Sequence, residues 1–290
     1  MRVGWHRAAA AALAGVVCLG EARVPVVHAQ APESFGCAFE PGPERSVSRI
    51  VDAMTVELDD KVTVRLVGIL APRAEEVGAA QGAWPAEAAA LDEVKRLLQG
   101  RSVALAFTGP RSDRYGRTLA HLLLRESGRI GWVQRHLVAS GHARVSAWPD
   151  AETCIEPLLA AETEARQAGR GLWAEAAYQV RPADRPSELQ RFGGSFQIVT
   201  GRIARATGSR NLLVLEFASG EERAPHFRVV ARRSAPTAKA LGDARKLAGA
   251  EVEVRGWLAT GGRGPEIELL ALHQLRRLPD PVLQKQTPGR

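Results

Sequence analysis

The stretch IVDAMTVELDDKVTVRLVGILAPR, residues 50–73, has the pattern of a β-hairpin. Two runs of β-branched and other apolar residues are separated by Asp59-Asp60-Lys61, which has no apolar side chain, as is typical of a turn. In the second run, apolar residues occupy every other position from Val62 to Leu66. Because neighbouring side chains of a strand point to opposite faces, one face is predicted to be apolar and Arg65 to project from the other.

A second arginine follows in a similar position. Arg117 ends the turn-rich segment DRYGR, residues 113–117, just before the apolar run from Leu119 to Leu124. Arginines at the ends of paired strands suit a phosphate clamp, because the guanidinium fork matches phosphate oxygens bidentately. We therefore predict that Arg65 and Arg117 bind a phosphate group.

Several segments of the chain resemble the staphylococcal-nuclease-like (thermonuclease) family, and they follow one another in the family's order. They are VDAMT (51–55), VRLVGILAP (64–72), a helix with Ala86-Glu87-Ala88, DRYGR (113–117), LVASGHARV (137–145) and AETEARQAGRGLW (161–173). The resemblance covers roughly residues 45–176 and implies an α+β domain, an OB-type β-barrel with helices packed on it. It also implies a nucleic-acid ligand, DNA or RNA, and Ca²⁺ as cofactor, and it matches Arg65 and Arg117 to the family's two phosphate-clamping arginines.

The same resemblance exposes departures at the positions that carry the family's calcium chemistry. Where the family has two metal-binding carboxylates and a general base, this sequence has Met54, Leu70 and Arg73. Ca²⁺ requires several oxygen ligands and an arginine stays protonated, so the ligand set is incomplete. Asp52 stays a candidate metal ligand and Glu75 a candidate substitute base, although a displacement of a few ångströms usually ruins catalysis.

Two functions of different classes are compatible with these residues. The first is an exported nuclease-type phosphodiesterase that binds its substrate with Arg65 and Arg117. The second is a nuclease-fold module without catalysis that binds nucleic acid or protein in the cell envelope. A third hypothesis is an envelope binding protein with no nucleic-acid role. Trp148 is the candidate for stacking on a base, and His121, which alternates outward in its strand, is predicted to be solvated.

The N-terminus and the cysteines predict an exported protein, periplasmic or secreted. Basic residues precede an apolar run that is too short to span a bilayer, and Val27-His28-Ala29 matches a cleavage pattern, so residues 1–29 are interpreted as a signal peptide. An uncleaved membrane anchor is the alternative. Cys37 and Cys154 remain after cleavage and are predicted to form a disulfide; two buried free thiols are the alternative.

The rest of the sequence predicts a second, smaller OB-like β-barrel domain. The predicted segments are a signal peptide (1–29), an N-terminal extension (30–44), the thermonuclease-like domain (45–176), a linker or strapping segment (177–193), the OB-like domain (194–278) and a flexible tail (279–290). Residues 194–290 carry 16 basic and 9 acidic side chains, while the whole chain has a net charge of +7. This excess indicates either an anionic partner or an arginine-rich compositional bias.

Overall fold

The computed structural model describes residues 35–78, 84–126, 128–146, 154–222 and 224–279. The predicted signal peptide, Trp148 and residues 280–290 lie outside the described residues. The strands are β1 Glu40–Asp52, β2 Thr55–Leu58, β3 Thr63–Leu66, β4 Ile69–Leu70, β5 Ser102–Phe107, β6 Thr118–Glu126, β7 Arg129–Trp132, β8 Arg144–Val145, β9 Arg181–Pro182, β10 Phe196–Gly208, β11 Leu212–Phe217, β12 Arg228–Arg232, β13 Glu251–Ala259, β14 Glu266–Glu268 and β15 Leu275–Arg277. The helices are α1 Pro85–Leu98, α2 Val133–Ala139, α3 Ile155–Gln167, α4 Pro186–Leu189 and α5 Pro236–Ala240.

Five strands close the first barrel around the predicted hairpin. β2 pairs antiparallel with β1 and β3, β5 pairs antiparallel with β1 and β6, and a parallel pairing of β3 with β6 closes the ring. The turn between β2 and β3 places Lys61 at a φ of 70°. The alternation in the hairpin is confirmed, because Val56, Leu58, Val64 and Leu66 are at most 1% exposed.

Three helices and a disulfide complete this domain. α1 begins at Pro85, whose fixed φ and missing N–H suit a first helical turn. It buries Val94, Leu97 and Leu98 against the barrel. A disulfide joins Cys37, ahead of β1, to Cys154 at the start of α3, with the two Cα atoms 5.1 Å apart.

The second barrel repeats the strand order of the first. β11 pairs antiparallel with β10 and β12, β13 pairs antiparallel with β10 and β14, and β12 pairs parallel with β14. Its core is a separate apolar cluster that includes Ile203, Phe217, Phe227 and Val254, each fully buried. The fold is therefore α+β, with a five-stranded barrel followed by a second β domain, as predicted.

The segment between the barrels is packed against both of them. Tyr178 belongs to the core of the first barrel, whereas Ala183 and Leu189 belong to the core of the second. β9 pairs in parallel with β10. These contacts are those of a strap. The first strand, β1, begins at Glu40, within residues 30–44, which the sequence predicts to be an N-terminal extension.

Buried ion pairs connect the two barrels. Arg255 on β13 places Nη1 2.8 Å from Glu162 Oε2 on α3, and its Nη2 donates to Glu253 Oε1 at 2.6 Å. These three side chains are at most 3% exposed. Although burial alone would lower it, the two carboxylates raise the pKa of Arg255. Arg166 on α3 also donates to Glu253, at 2.8 Å, so charges from both barrels form one network.

The prediction for His121 was wrong. Phe39 and Trp132 cover the His121 ring, with ring centroids 5.1 and 5.2 Å away. The Trp132 indole N–H donates to His121 Nδ1 at 3.2 Å. His121 is 1% exposed, and burial lowers its pKa to about 3. The prediction failed because the position of His121 along its strand does not reveal that Phe39 and Trp132 pack over it.

Candidate nucleic-acid interface

Arg65 lies on β3 directly opposite Thr55 on β2. Its Nη1 donates to Thr55 Oγ1 at 3.1 Å and lies 3.6 Å from Asp52 Oδ1. Burial lowers the pKa of Arg65; Asp52 opposes this shift, and the positive charges of Arg73 and Arg117 add to it. Since an arginine remains protonated under all ordinary conditions, Arg65 is a fixed cation held at the mouth of the hairpin.

Arg117 is held by the turn that precedes it. Asp113 Oδ1 accepts from the backbone N–H groups of Tyr115 and Arg117, at 2.8 and 3.0 Å, and Asp113 Oδ2 accepts from Arg117 Nε at 2.6 Å. Partial burial opposes the shift, but these hydrogen bonds lower the pKa of Asp113. The DRYGR segment therefore presents Arg117 next to β3, because β6 pairs with β3 immediately after it.

An exposed aromatic ring accompanies this arginine. Tyr115 is 74% exposed, and the Arg117 guanidinium lies 5.3 Å from its ring centroid. Asp113 holds the turn through the backbone N–H groups of Tyr115 and Arg117. Within the described residues, the Tyr115 side chain itself forms no hydrogen bond to the turn. Exposure of a large ring beside a cation gives this site a flat surface suited to a base.

Met54 occupies the centre of the site. Its Sδ accepts from the backbone N–H of Ala71 at 2.9 Å, and Arg65 Nη2 lies 3.5 Å from the same sulfur. Met54 is 4% exposed and Leu70 is 7% exposed, so both side chains belong to the core. The thioether of Met54 thus contacts both the Ala71 N–H and the Arg65 guanidinium group.

A cavity of about 530 Å³ opens next to Met54. Asp52, Arg73 and Glu75 line it, so the structure brings these three predicted site residues together. Glu76 does not reach the cavity, because it is buried and accepts from Arg144 Nη2 at 2.6 Å. Glu75 is therefore the carboxylate of the pair that faces this site.

α1 supplies cavity residues that sequence reasoning missed. Glu87, Asp92 and Lys95 line the side opposite the hairpin. The helical spacing of the sequence identified only the apolar face of α1, and a polar residue on a helix carries no signal of its own that it faces a cavity rather than bulk solvent.

Two positions that the family resemblance implies for calcium carry no oxygen ligand. Calcium takes six to eight oxygen ligands, and Met54 and Leu70 supply none. Among the described residues no three His, Cys, Asp or Glu side chains gather as a metal ligand set. Asp52, the candidate metal ligand predicted from the sequence, accepts from the Met54 N–H at 2.7 Å.

Comparison with known proteins gives a family for this chain. A family model described as "Staphylococcal nuclease homologue" matches residues 63–175. Two proteins named "Uncharacterized endonuclease", from Escherichia coli O157:H7 and Escherichia coli, are each 31% identical over 134 residues, which is 45% of this chain and 76% of the relative. The chain belongs to the staphylococcal nuclease homologue family.

The family match has a definite extent within the chain. It contains Arg65, Arg73, Glu75 and Arg117, and it ends at residue 175. The second barrel, which begins with β10 at Phe196, lies outside it. Membership in the staphylococcal nuclease homologue family is thus a statement about the first barrel.

Two further observations concern membrane helices and the cysteines. Within the described residues, no helix is both long enough and apolar enough to cross a membrane. The predicted Cys37–Cys154 pair is joined as a disulfide, a bond that persists mainly in oxidising compartments.

Proposed function

We propose that this protein binds nucleic-acid phosphodiesters at Arg65 and Arg117 without calcium-dependent hydrolysis. The observation that carries the proposal is the position of Met54, whose sulfur takes the Ala71 N–H and lies beside Arg65. The phosphate-binding cations are retained, while a buried thioether stands where the family resemblance implies a metal carboxylate.

Electrostatics support the binding part of this proposal. Arg65 experiences the positive charge of both Arg73 and Arg117, and Asp52 and Asp113 are the opposing acids. A phosphate group placed between guanidinium groups relieves their mutual repulsion and accepts charge-assisted hydrogen bonds. The exposed Tyr115 ring supplies a stacking surface beside the clamp, and Trp148 stays a predicted second one.

The chemistry of the side chains argues against hydrolysis. Phosphodiester cleavage by a metal nuclease requires a Lewis acid at the phosphoryl oxygen and an activated water. Arg73 cannot accept a proton and so cannot act as the general base. Met54 and Leu70 supply no oxygen ligand for a metal ion. The two Escherichia coli relatives are named as endonucleases, and that name describes those proteins. For this chain we propose ligand binding on an inherited nuclease fold.

Binding and cleavage are tested together. Fluorescence polarisation with labelled single-stranded DNA and RNA would measure affinity, and gel analysis of the same samples with calcium, magnesium or chelator would measure cleavage. We expect binding without cleavage in all three conditions. The Arg65→Gln/Arg117→Gln variant is expected to bind about tenfold more weakly or worse, since two phosphate contacts are lost.

A matched control is available in the same barrel. Arg45 and Arg49 pair with Asp60 and Glu57 on the surface, so Arg45→Gln/Arg49→Gln removes the same charge away from the site. We expect its affinity to stay within about twofold of the parent. Metal-dependent cleavage that disappears in the Arg65→Gln/Arg117→Gln variant would overturn the proposal, and Asp52→Asn and Glu75→Gln would then identify the groups that rebuild the site.

We also propose that the protein functions outside the cytoplasm. The Cys37–Cys154 disulfide supports this, because cytosolic thiols are kept reduced. Fractionation of cells that express the full chain, combined with thiol labelling, would test it. Protein found in the cytoplasmic fraction with both thiols reactive would contradict the proposal.

A further inference from the structure

Three connections of the second barrel surround a cleft of about 720 Å³, here called the basic cleft. Its walls come from the β10–β11 turn at Thr207 and Gly208, from Arg233 after β12, and from the segment that carries Asp243 and Arg245. Two arginines and one aspartate are the charged residues of this lining, and no aromatic side chain contributes to it.

Arg233 lies across the backbone of the β10–β11 turn. A Cβ atom placed on Gly208 would come within 2.2 Å of Arg233 Nη2, so the absence of a side chain at Gly208 allows this approach. The Arg233 N–H also donates to Asn211 O at 2.9 Å, which fixes the segment against the turn. Arg233 is exposed, and none of the described carboxylates forms an ion pair with it.

Further cations stand around the cleft. Arg245 Nε donates to Asp243 Oδ1 at 3.0 Å, which neutralises the single acid of the lining. Lys246 follows directly, and its carbonyl oxygen accepts from Arg277 Nη2 at 3.1 Å, so a further guanidinium is anchored nearby. Lys239 follows the lining residue Ala238.

The pairing of cations differs between the cleft and the neighbouring strands. Arg202, Arg205 and Arg232 lie on β10 and β12, and each forms an ion pair with a glutamate, at 3.2, 2.6 and 2.8 Å. Within the described part of the chain, Arg233 and Lys246 form no such pair. Arg233 in the lining and Lys246 beside it therefore carry positive charge that no described carboxylate compensates.

We infer that the basic cleft binds the phosphodiester backbone of a nucleic-acid strand, as a second site in addition to Arg65 and Arg117. For the class of its ligand, this inference rests on the proposed function of the first barrel. Arginine forks favour phosphate oxygens. Because no aromatic ring lines the cleft, the contacts are to the backbone, and affinity depends on salt and strand length rather than on the bases.

The test compares two triple variants of the full chain that remove the same charge. Arg233→Gln/Arg245→Gln/Lys246→Gln changes the cleft, and Arg202→Gln/Arg205→Gln/Arg232→Gln changes the paired arginines. Binding of labelled oligothymidylate of about 20 nucleotides is measured by fluorescence polarisation over a series of salt concentrations. Circular dichroism and thermal unfolding check that both variants are folded.

We expect the cleft variant to bind about tenfold more weakly or worse at low salt, with a logarithmic salt slope lower by about 2, because three phosphate contacts are lost. The control should stay within about twofold. Equal affinities of the two triple variants would overturn the inference. Competition by oligoglutamate as strong as that by oligothymidylate of equal charge would also overturn it, in favour of an acidic polypeptide as ligand.

The two proposals can fail separately. If the cleft variant binds like its control while Arg65→Gln/Arg117→Gln loses affinity, the second site is wrong and the proposed function stands. If the cleft variant loses affinity while Arg65→Gln/Arg117→Gln does not, the second site stands and the clamp of the first barrel is wrong.

Discussion

The two barrels have the same strand order but place their charges differently. In the first barrel, Arg65 and Arg117 are partly buried and each is positioned by a neighbouring acid or hydroxyl group. In the second barrel, Arg233 is exposed on a connection and has no acidic partner among the described residues. A shared backbone path thus determines which strands pair, whereas the loops and individual side chains determine what the surface binds.

The largest expected effect tests whether the two barrels are independent. Arg255→Met removes the cation that lies 2.8 Å from the buried Glu162 and leaves Arg166 as the cation that both glutamates share, at 3.9 Å from Glu162 and 2.8 Å from Glu253. Breaking a buried ion pair costs about 3–5 kcal/mol, and we expect the lower end of that range because Arg166 remains. Urea unfolding would measure the change. Arg202→Met, which removes an exposed pair with Glu251, is the control and should cost less than about 1 kcal/mol. Similar costs for the two variants would show that the junction contributes little.

A second prediction compares one glycine from each barrel domain. Gly141 has a φ of 75°, and a Cβ there would lie 2.1 Å from the backbone oxygen of Arg170. Gly141→Ala should therefore cost about 2–3 kcal/mol, because the backbone must move. Gly208→Ala meets only the tip of the Arg233 side chain, which can rotate away, and should change stability by less than about 0.5 kcal/mol. Thermal unfolding of both variants would check the contrast, which a small effect at Gly141 would contradict.

The last prediction concerns the pH dependence of stability, an effect that is small for each pH unit. Burial lowers the pKa of His121 to about 3, and burial together with Arg255 lowers that of His273, in the second domain, to about 4. A histidine with a lowered folded-state pKa stabilises the protein above its unfolded pKa near 6.5, and this stability is lost as the pH falls. Each should reduce the free energy of unfolding by about 1.4 kcal/mol per pH unit below that value.

Single variants would separate the two histidines. His121→Gln should flatten the decline of the unfolding free energy between pH 6 and about 4, as should His273→Gln, each by the slope of one proton. An unchanged slope in His121→Gln would mean that this ring is accessible to protons in the folded state.

Much of the fold could be predicted from local patterns in the sequence. The hairpin of residues 50–73 and the strands of the second barrel follow from alternating apolar residues and from turn chemistry, which depend only on neighbours in the sequence. The convergence of Arg65 and Arg117 followed from the family resemblance. Whether the pair binds a phosphate stays a prediction.

The remaining features depend on which segments pack together. His121 obeys the alternation of its strand, yet Phe39, a residue 82 positions earlier in the sequence, covers it. The ion-pair network of Arg255 joins residues from different domains. It could not be predicted from the sequence, because a charged residue in a strand ordinarily indicates a position exposed to solvent. The cavity face of α1 was likewise not recognisable, because a single helix does not reveal which polar residues meet a neighbouring loop.

The disulfide sets an order of events during synthesis. Cys37 and Cys154 are 117 residues apart, so the bond can close only after almost all of the first barrel has left the ribosome. The second barrel begins more than 40 residues later, at Phe196. Closure of the bond thus needs no residue of the second barrel, and the strand that carries Arg255 adds a charged partner for Glu162 on the helix that begins beside Cys154.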